Sequence, residues 1–199
     1  MHPTVFAAFD RICRRRGAGG AVLEVGAVPS HDALLTLPAL ARATSKLGIN
    51  RDGPSSFLDF EIRRGDANDM RCFADACFDT VLCNATLEHD RRFWTTVEEI
   101  RRVARPGALI VIGVPAFSSR ATGTGQSTST LRRALLRALR RLGGSLSAGT
   151  PTLAWHGFPS DYYRFSPEAV REVLCADLAD VEIELVMRPP RAIGSGIKP

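Results

Sequence analysis

The sequence predicts an α/β fold: a mostly parallel sheet with helices on both faces. Three observations lead there. Short apolar runs bounded by Gly and Pro recur along the first 115 residues, as buried strands do. Segments with apolar residues at helical spacing alternate with them. The chain has 199 residues, 45% hydrophobic and 24% charged, enough for one substantial core and too apolar for disorder.

Thr4 to Arg16 reads as a helix presenting Val5, Phe6, Phe9, Ile12 and Cys13 on one face, and the glycines from Gly17 to Gly20 end it. Ala21 to Val25 follows as a first buried strand. Pro29 and Ser30 open a helical stretch from about His31 to Ala43, which Pro38 should kink or split. Ser45 to Ile49 is a weaker second strand, and Leu58 to Arg63 a third. Phe78 to Cys83 is the fourth, and Phe93 to Ala104 an amphipathic helix. Pro106 and Gly107 break that helix before the most β-like run, Ala108 to Val114. Ser166-Pro167-Glu168 begins a helix to about Cys175, with Ser as N-cap. Val181 to Met187 and Ala192 to Lys198 complete the strands.

Between these halves the composition changes. Phe117 to Thr130 is a Ser-, Thr- and Gly-rich loop, and Gly143 to Thr152 a loose linker. Leu131 to Leu142 reads as a basic amphipathic helix carrying five arginines and no acid. Outside it, 21 basic residues face 21 acidic ones, so the net charge of +5 is local and not a broad nucleic-acid footprint. The helix reads as a lid over a substrate site, as a peripheral membrane contact, or as a grip on an acidic acceptor or a nucleic acid. The chain is one domain, residues 1–199, with this loop and helix inserted at about 117–152. No apolar run reaches a membrane span, and Asp10 and Arg11 interrupt the short apolar start, so the expected location is cytoplasmic. The five cysteines show no C-x-x-C and no His cluster, so reduced thiols and no metal site are expected.

In an open α/β sheet, ligands bind beyond the carboxyl ends of the strands. The residues there are Glu24-Val25-Gly26-Ala27, Gly65-Asp66-Ala67 and Asn84-Ala85-Thr86-Leu87-Glu88-His89. Acids at successive strand tips suit a nucleoside, whose hydroxyls and amine they accept from. With Glu99-Ile100-Arg101-Arg102-Val103-Ala104-Arg105-Pro106-Gly107 in addition, the ordered series over Ala21 to Phe117 resembles class I S-adenosylmethionine-dependent methyltransferases, in the branch called methyltransferase type 11. The aromatic segment His156 to Phe165 resembles a stretch in some of these enzymes.

The resemblance implies a Rossmann-like, doubly wound sheet of seven strands, with S-adenosyl-L-methionine as cofactor. It sets Glu24, Gly26 and Ala27 in the turn beneath the methionine part. It implies that Asp66 accepts from the adenine amine, beside the Ala67 amide. Asn50 holds the ribose position, with Asp52 as fallback, and Asn84 and Ala85 lie near the methionine amino group. The family pattern E-x-G-x-G-x-G keeps one of its three glycines here, with Val28 and Ser30 in place of the others. As catalytic groups the candidates are His89, after the fourth strand, and His156 with Asp161 in the aromatic segment. The implied activity is methyl transfer to a small-molecule or carbohydrate acceptor, with no nucleic acid as partner. The alternative is a non-catalytic module of the same fold that has lost efficient cofactor binding. A nicotinamide oxidoreductase would need G-x-G-x-x-G after the first strand, and a serine hydrolase G-x-S-x-G; both are absent.

Overall fold

The computed structural model describes residues 1–116 and 160–199. The loop, basic helix and linker expected at about 117–152, and His156, lie outside the described residues.

Eight strands form one sheet: β1 (Ala21–Val25), β2 (Ser45–Asn50), β3 (Ser55–Phe57), β4 (Phe60–Arg64), β5 (Phe78–Asn84), β6 (Ala104–Pro115), β7 (Ala179–Val186) and β8 (Arg191–Ile197). Their order is β3-β4-β2-β1-β5-β6-β8-β7. The pairs of β1 with β2 and β5, β2 with β4, and β5 with β6 are parallel. β8 runs antiparallel between β6 and β7, and β3 folds back antiparallel on β4. The sheet is thus doubly wound and mostly parallel, with one strand more than expected. That strand is β3, a three-residue hairpin arm. Its turn falls at Leu58 and Asp59, with Leu58 at φ 51°, so the third expected strand begins two residues later, at Phe60.

The side chains of central strands alternate between two cores. Leu23 and Val25 of β1, and Ile110, Ile112 and Val114 of β6, pack with Val97, Ile100 and Val103 of helix α2 (Phe93–Val103). Val22, Leu109 and Val111 face the other way, onto Val5, Phe9, Ile12 and Cys13 of helix α1 (Pro3–Arg15). This period of two against a period of three to four makes each strand and helix bury its own face. Lys198 Nζ donates to the Arg101 and Ala104 carbonyls at 2.8 Å each, closing the carboxyl end of α2.

The stretch expected as a helix over 31–43 is instead two 3₁₀ turns, Leu34–Thr36 and Pro38–Leu40. Pro38 has no amide to continue a helix. The Leu35 amide donates to buried Glu24 Oε2 at 3.0 Å instead of to a helical carbonyl. The later helical segment has Ser166 as its N-cap, accepting from the Ala169 amide at 3.0 Å, and runs over Pro167–Ala169 and a π turn, Val170–Leu174. Cys13, Cys83 and Cys175 are buried free thiols.

Candidate functional site

The direction of winding reverses between β1 and β5, and beyond their carboxyl ends lies a cavity of about 850 Å³. Gly26 after β1, Asn50 at the end of β2, Gly65 to Asn68 after β4, and Ala85, Thr86 and Glu88 to Asp90 after β5 line it. Arg191, the first residue of β8, closes the far wall, and Ser160 meets it there.

At the β4 end, Asp66 Oδ1 accepts from the Asn68 amide at 2.9 Å and Oδ2 from Arg51 Nη2 at 3.0 Å. These donors hold its carboxyl below the ordinary carboxylate value, outweighing its partial burial. Ala67 lines the wall beside it. Asn68 Nδ2 reaches across to Asp90 Oδ2 at 2.9 Å, and Thr96 Oγ1 donates to the same oxygen at 2.7 Å. The β4 and β5 loops are thereby tied to the first turn of α2.

In the floor, Gly26 has φ +82°, and a Cβ there would lie 2.0 Å from Thr86 Oγ1. Only glycine fits where the two loops meet. Asn50 turns its amide back, donating from Nδ2 to the Ala27 carbonyl at 2.7 Å and accepting from the Asp52 amide at 3.3 Å. Ala85 sits at φ 54° with its amide on the Gly113 carbonyl at 3.0 Å, which steers the chain from β5 into the cavity wall.

Glu24, Ala27 and Asn84 stand behind the wall. Burial pushes the Glu24 carboxyl up to about 7, against the opposing pull of the Leu35 and Leu34 amides. Ala27 is fully buried. Asn84 Oδ1 is buried without a hydrogen-bond partner among the described residues, on the Gly113 and Phe9 side of the loop.

At the β5 end, His89 Nδ1 lies 3.2 Å from the Ser160 carbonyl. Glu88, fully buried, pairs through Oε1 with Arg191 Nη1 at 3.1 Å. Its own carbonyl accepts from the amides of Tyr162 and Tyr163. Asp161 does not line the cavity; it grips Arg164 through both oxygens.

So Gly26, Asn50, Asp66, Ala67, Ala85 and His89, all named from the sequence, line one volume. Glu88, Arg191, Asn68, Asp90 and Arg51 were not singled out. Glu88 carried a signal, since it stands inside the Leu87-Glu88-His89 tripeptide after a strand. Arg191 carried none: an antiparallel strand brings its first residue, not its last, to this edge, opposite Pro115.

The family model for a methyltransferase domain matches residues 35–112. Over those residues the chain is similar to a methyltransferase domain, and its sheet has the class I methyltransferase fold. S-adenosylmethionine is the cofactor of such a domain. Solved methyltransferases superpose over nearly the whole chain. The 1,6-didemethyltoxoflavin-N1-methyltransferase of Burkholderia thailandensis has a TM-score of 0.64 at 16% identity, over 99% of this chain and 79% of that one; its structure holds S-adenosylhomocysteine. An S-adenosylmethionine-dependent methyltransferase of Thermotoga maritima gives 0.62 at 14%, over 100% and 91%. The N-methyltransferase NodS of Bradyrhizobium japonicum, also with S-adenosylhomocysteine, gives 0.62 at 14%, over 98% and 86%. No curated protein matches the chain.

The cavity has room for such a cofactor. Its volume lies in the usual range for ligand sites, about 300–1,000 Å³. Val28, in place of a family glycine, lines the wall at 46% exposure and leaves the volume open, and Pro29 does not reach it. The close contact of Gly26 with Thr86 gives the floor its low profile. Among the described residues no group of His, Cys, Asp or Glu is gathered as for a metal ion, and no helix is long and apolar enough to cross a membrane.

Proposed function

We propose that this domain transfers a methyl group from S-adenosylmethionine to a small-molecule or carbohydrate acceptor. The observation that carries this reading is the single cavity running from Asp66 and Ala67 at one end to Glu88, His89 and Arg191 at the other. Its volume of about 850 Å³ has room for a nucleoside donor and a small acceptor together. The relatives' names add support, since the 1,6-didemethyltoxoflavin bound to the Burkholderia enzyme is a small molecule.

In this reading Asp66 accepts from the base amine beside the Ala67 amide, and Asn50 hydrogen-bonds the ribose without charge assistance. Gly26 and Ala85 give the methionine part close backbone approach. Glu24, Ala27 and Asn84 act from behind, fixing the turns. The bound cofactor supplies a methyl group on a sulfonium, whose charge already activates the leaving sulfur. The chain's own task is alignment, and positioning of this kind supplies about 7–11 kcal/mol. His89, oriented against the Ser160 carbonyl, is the proton acceptor nearest the second end, a role typically worth about 10²–10⁴-fold. His156 remains a second candidate, and Asp161 serves by fixing Arg164.

The second reading, a binding module without efficient cofactor capture, draws on Asn50 being turned onto Ala27 and on Arg51 occupying Asp66. Calorimetric titration with S-adenosylhomocysteine separates the two. Saturable micromolar binding supports the enzyme; no heat at millimolar ligand supports the module.

A further inference from the structure

Glu88 is a carboxylate buried in the wall of the cavity, yet only half of it is used. Oε1 takes the hydrogen bond of Arg191 Nη1 at 3.1 Å, and Oε2 is buried with no hydrogen-bond partner among the described residues. A buried carboxylate oxygen left unbonded costs about 1–3 kcal/mol or more, so folding alone gives no reason to retain it. Among the described residues, no cation bonds to this oxygen. Arg164, whose guanidinium feels the charge of Glu88, is turned to Asp161 and the Tyr163 carbonyl.

The backbone fixes the carboxylate in place. Glu88 sits in the 3₁₀ turn Leu87–His89, and the Tyr162 and Tyr163 amides hold its carbonyl. Arg191 reaches it from β8, which enters the sheet on the side of β6 away from β1. The pair therefore stands at the opposite end of the cavity from Asp66, where the acceptor arrives.

We propose that Glu88 and Arg191 form the acceptor subsite, with Glu88 Oε2 receiving a hydrogen bond from an N–H or O–H group of the acceptor. The ligand class is a small primary amine or alcohol. Arg191 holds the carboxylate in register through Oε1, and acts as a positioning residue. This subsite rests on the methyl-transfer reading above and deepens it.

The test uses the whole chain, wild type and Glu88→Gln, in three measurements. S-adenosylhomocysteine affinity by calorimetry is expected to agree within about twofold, because the nucleoside end is untouched. Release of S-adenosylhomocysteine from S-adenosylmethionine is then followed with a panel of small primary amines and alcohols. Each acceptor used by the wild type is added to the protein saturated with S-adenosylhomocysteine, and the melting temperature is read. Loss of at least tenfold in kcat/KM, together with loss of the acceptor's thermal shift, in Glu88→Gln supports the subsite. Full turnover and an unchanged shift in that variant overturn it, as does a wild type that binds S-adenosylhomocysteine but uses no member of the panel. A wild type that binds no S-adenosylhomocysteine refutes the methyl-transfer reading instead. Should Glu88→Gln fail to fold, Glu88→Asp carries the test: it keeps a charge for Arg191 and withdraws the oxygen from the cavity, and the same losses are expected.

Discussion

Glu24 makes the stability of this domain depend on pH in a direction opposite to that of most carboxylates. Its carboxyl is buried under the turn after β1 and pushed up to about 7, from an ordinary 4.5 in the unfolded chain. Below 4.5 it is neutral in both states and costs nothing. Between 4.5 and 7 the unfolded chain gives up its proton and the folded one keeps it, so stability falls as pH rises. Above 7 both are ionised and the loss is complete. A gap of about two and a half pH units corresponds to about 3 kcal/mol. The perturbation is Glu24→Gln, whose amide oxygen still accepts from the Leu35 amide but carries no ionisable proton. Urea unfolding of both proteins at pH 5, 6, 7 and 8 isolates the group, because histidines and other carboxyls titrate alike in the two. The stability of Glu24→Gln relative to wild type is expected to rise by about 2–3 kcal/mol between pH 5 and pH 8. A constant difference across that window would refute a buried carboxyl whose desolvation outweighs its amide hydrogen bonds.

Other expectations follow from the cavity. Asp66→Ala should weaken S-adenosylhomocysteine binding at least tenfold by calorimetry while costing no more than about 1 kcal/mol of stability, since its pair with Arg51 is largely exposed. Gly26→Ala should cost about 1–3 kcal/mol in urea unfolding, through its positive φ and the contact with Thr86, and should abolish ligand binding with it. Ala85→Gly relieves a left-handed residue, so the urea midpoint should rise, by about 1 kcal/mol of stability. Lys198→Met leaves the Arg101 and Ala104 carbonyls without their charged donor and should cost about 1–2 kcal/mol.

What the sequence conveyed well was burial. β5 and α2 announce their faces through apolar spacing, and both lie within one residue of their expected bounds. What it conveyed poorly was where backbone amides go. Apolar spacing over 31–43 looked helical because its leucines are indeed buried, but Glu24 captures one amide and Pro38 lacks another, leaving two short turns. β3 is too short to show a period. At the site, Gly26, Asp66 and His89 were legible because each follows a parallel strand. Arg191 was not, because its strand runs the other way, and Glu88 was overlooked beside a histidine of the same turn. The reversed amide of Asn50 has no signature in sequence at all.

β8 fills the slot between β6 and β7 and follows both in the chain. During synthesis on the ribosome, the apolar flank of β6 therefore stands unpaired until the last of these strands emerges. An exposed strand edge of this kind invites association between nascent chains. Chaperone dependence and inclusion-body formation in this domain should accordingly track how promptly Arg191 to Ile197 dock, more than the final stability of the folded protein.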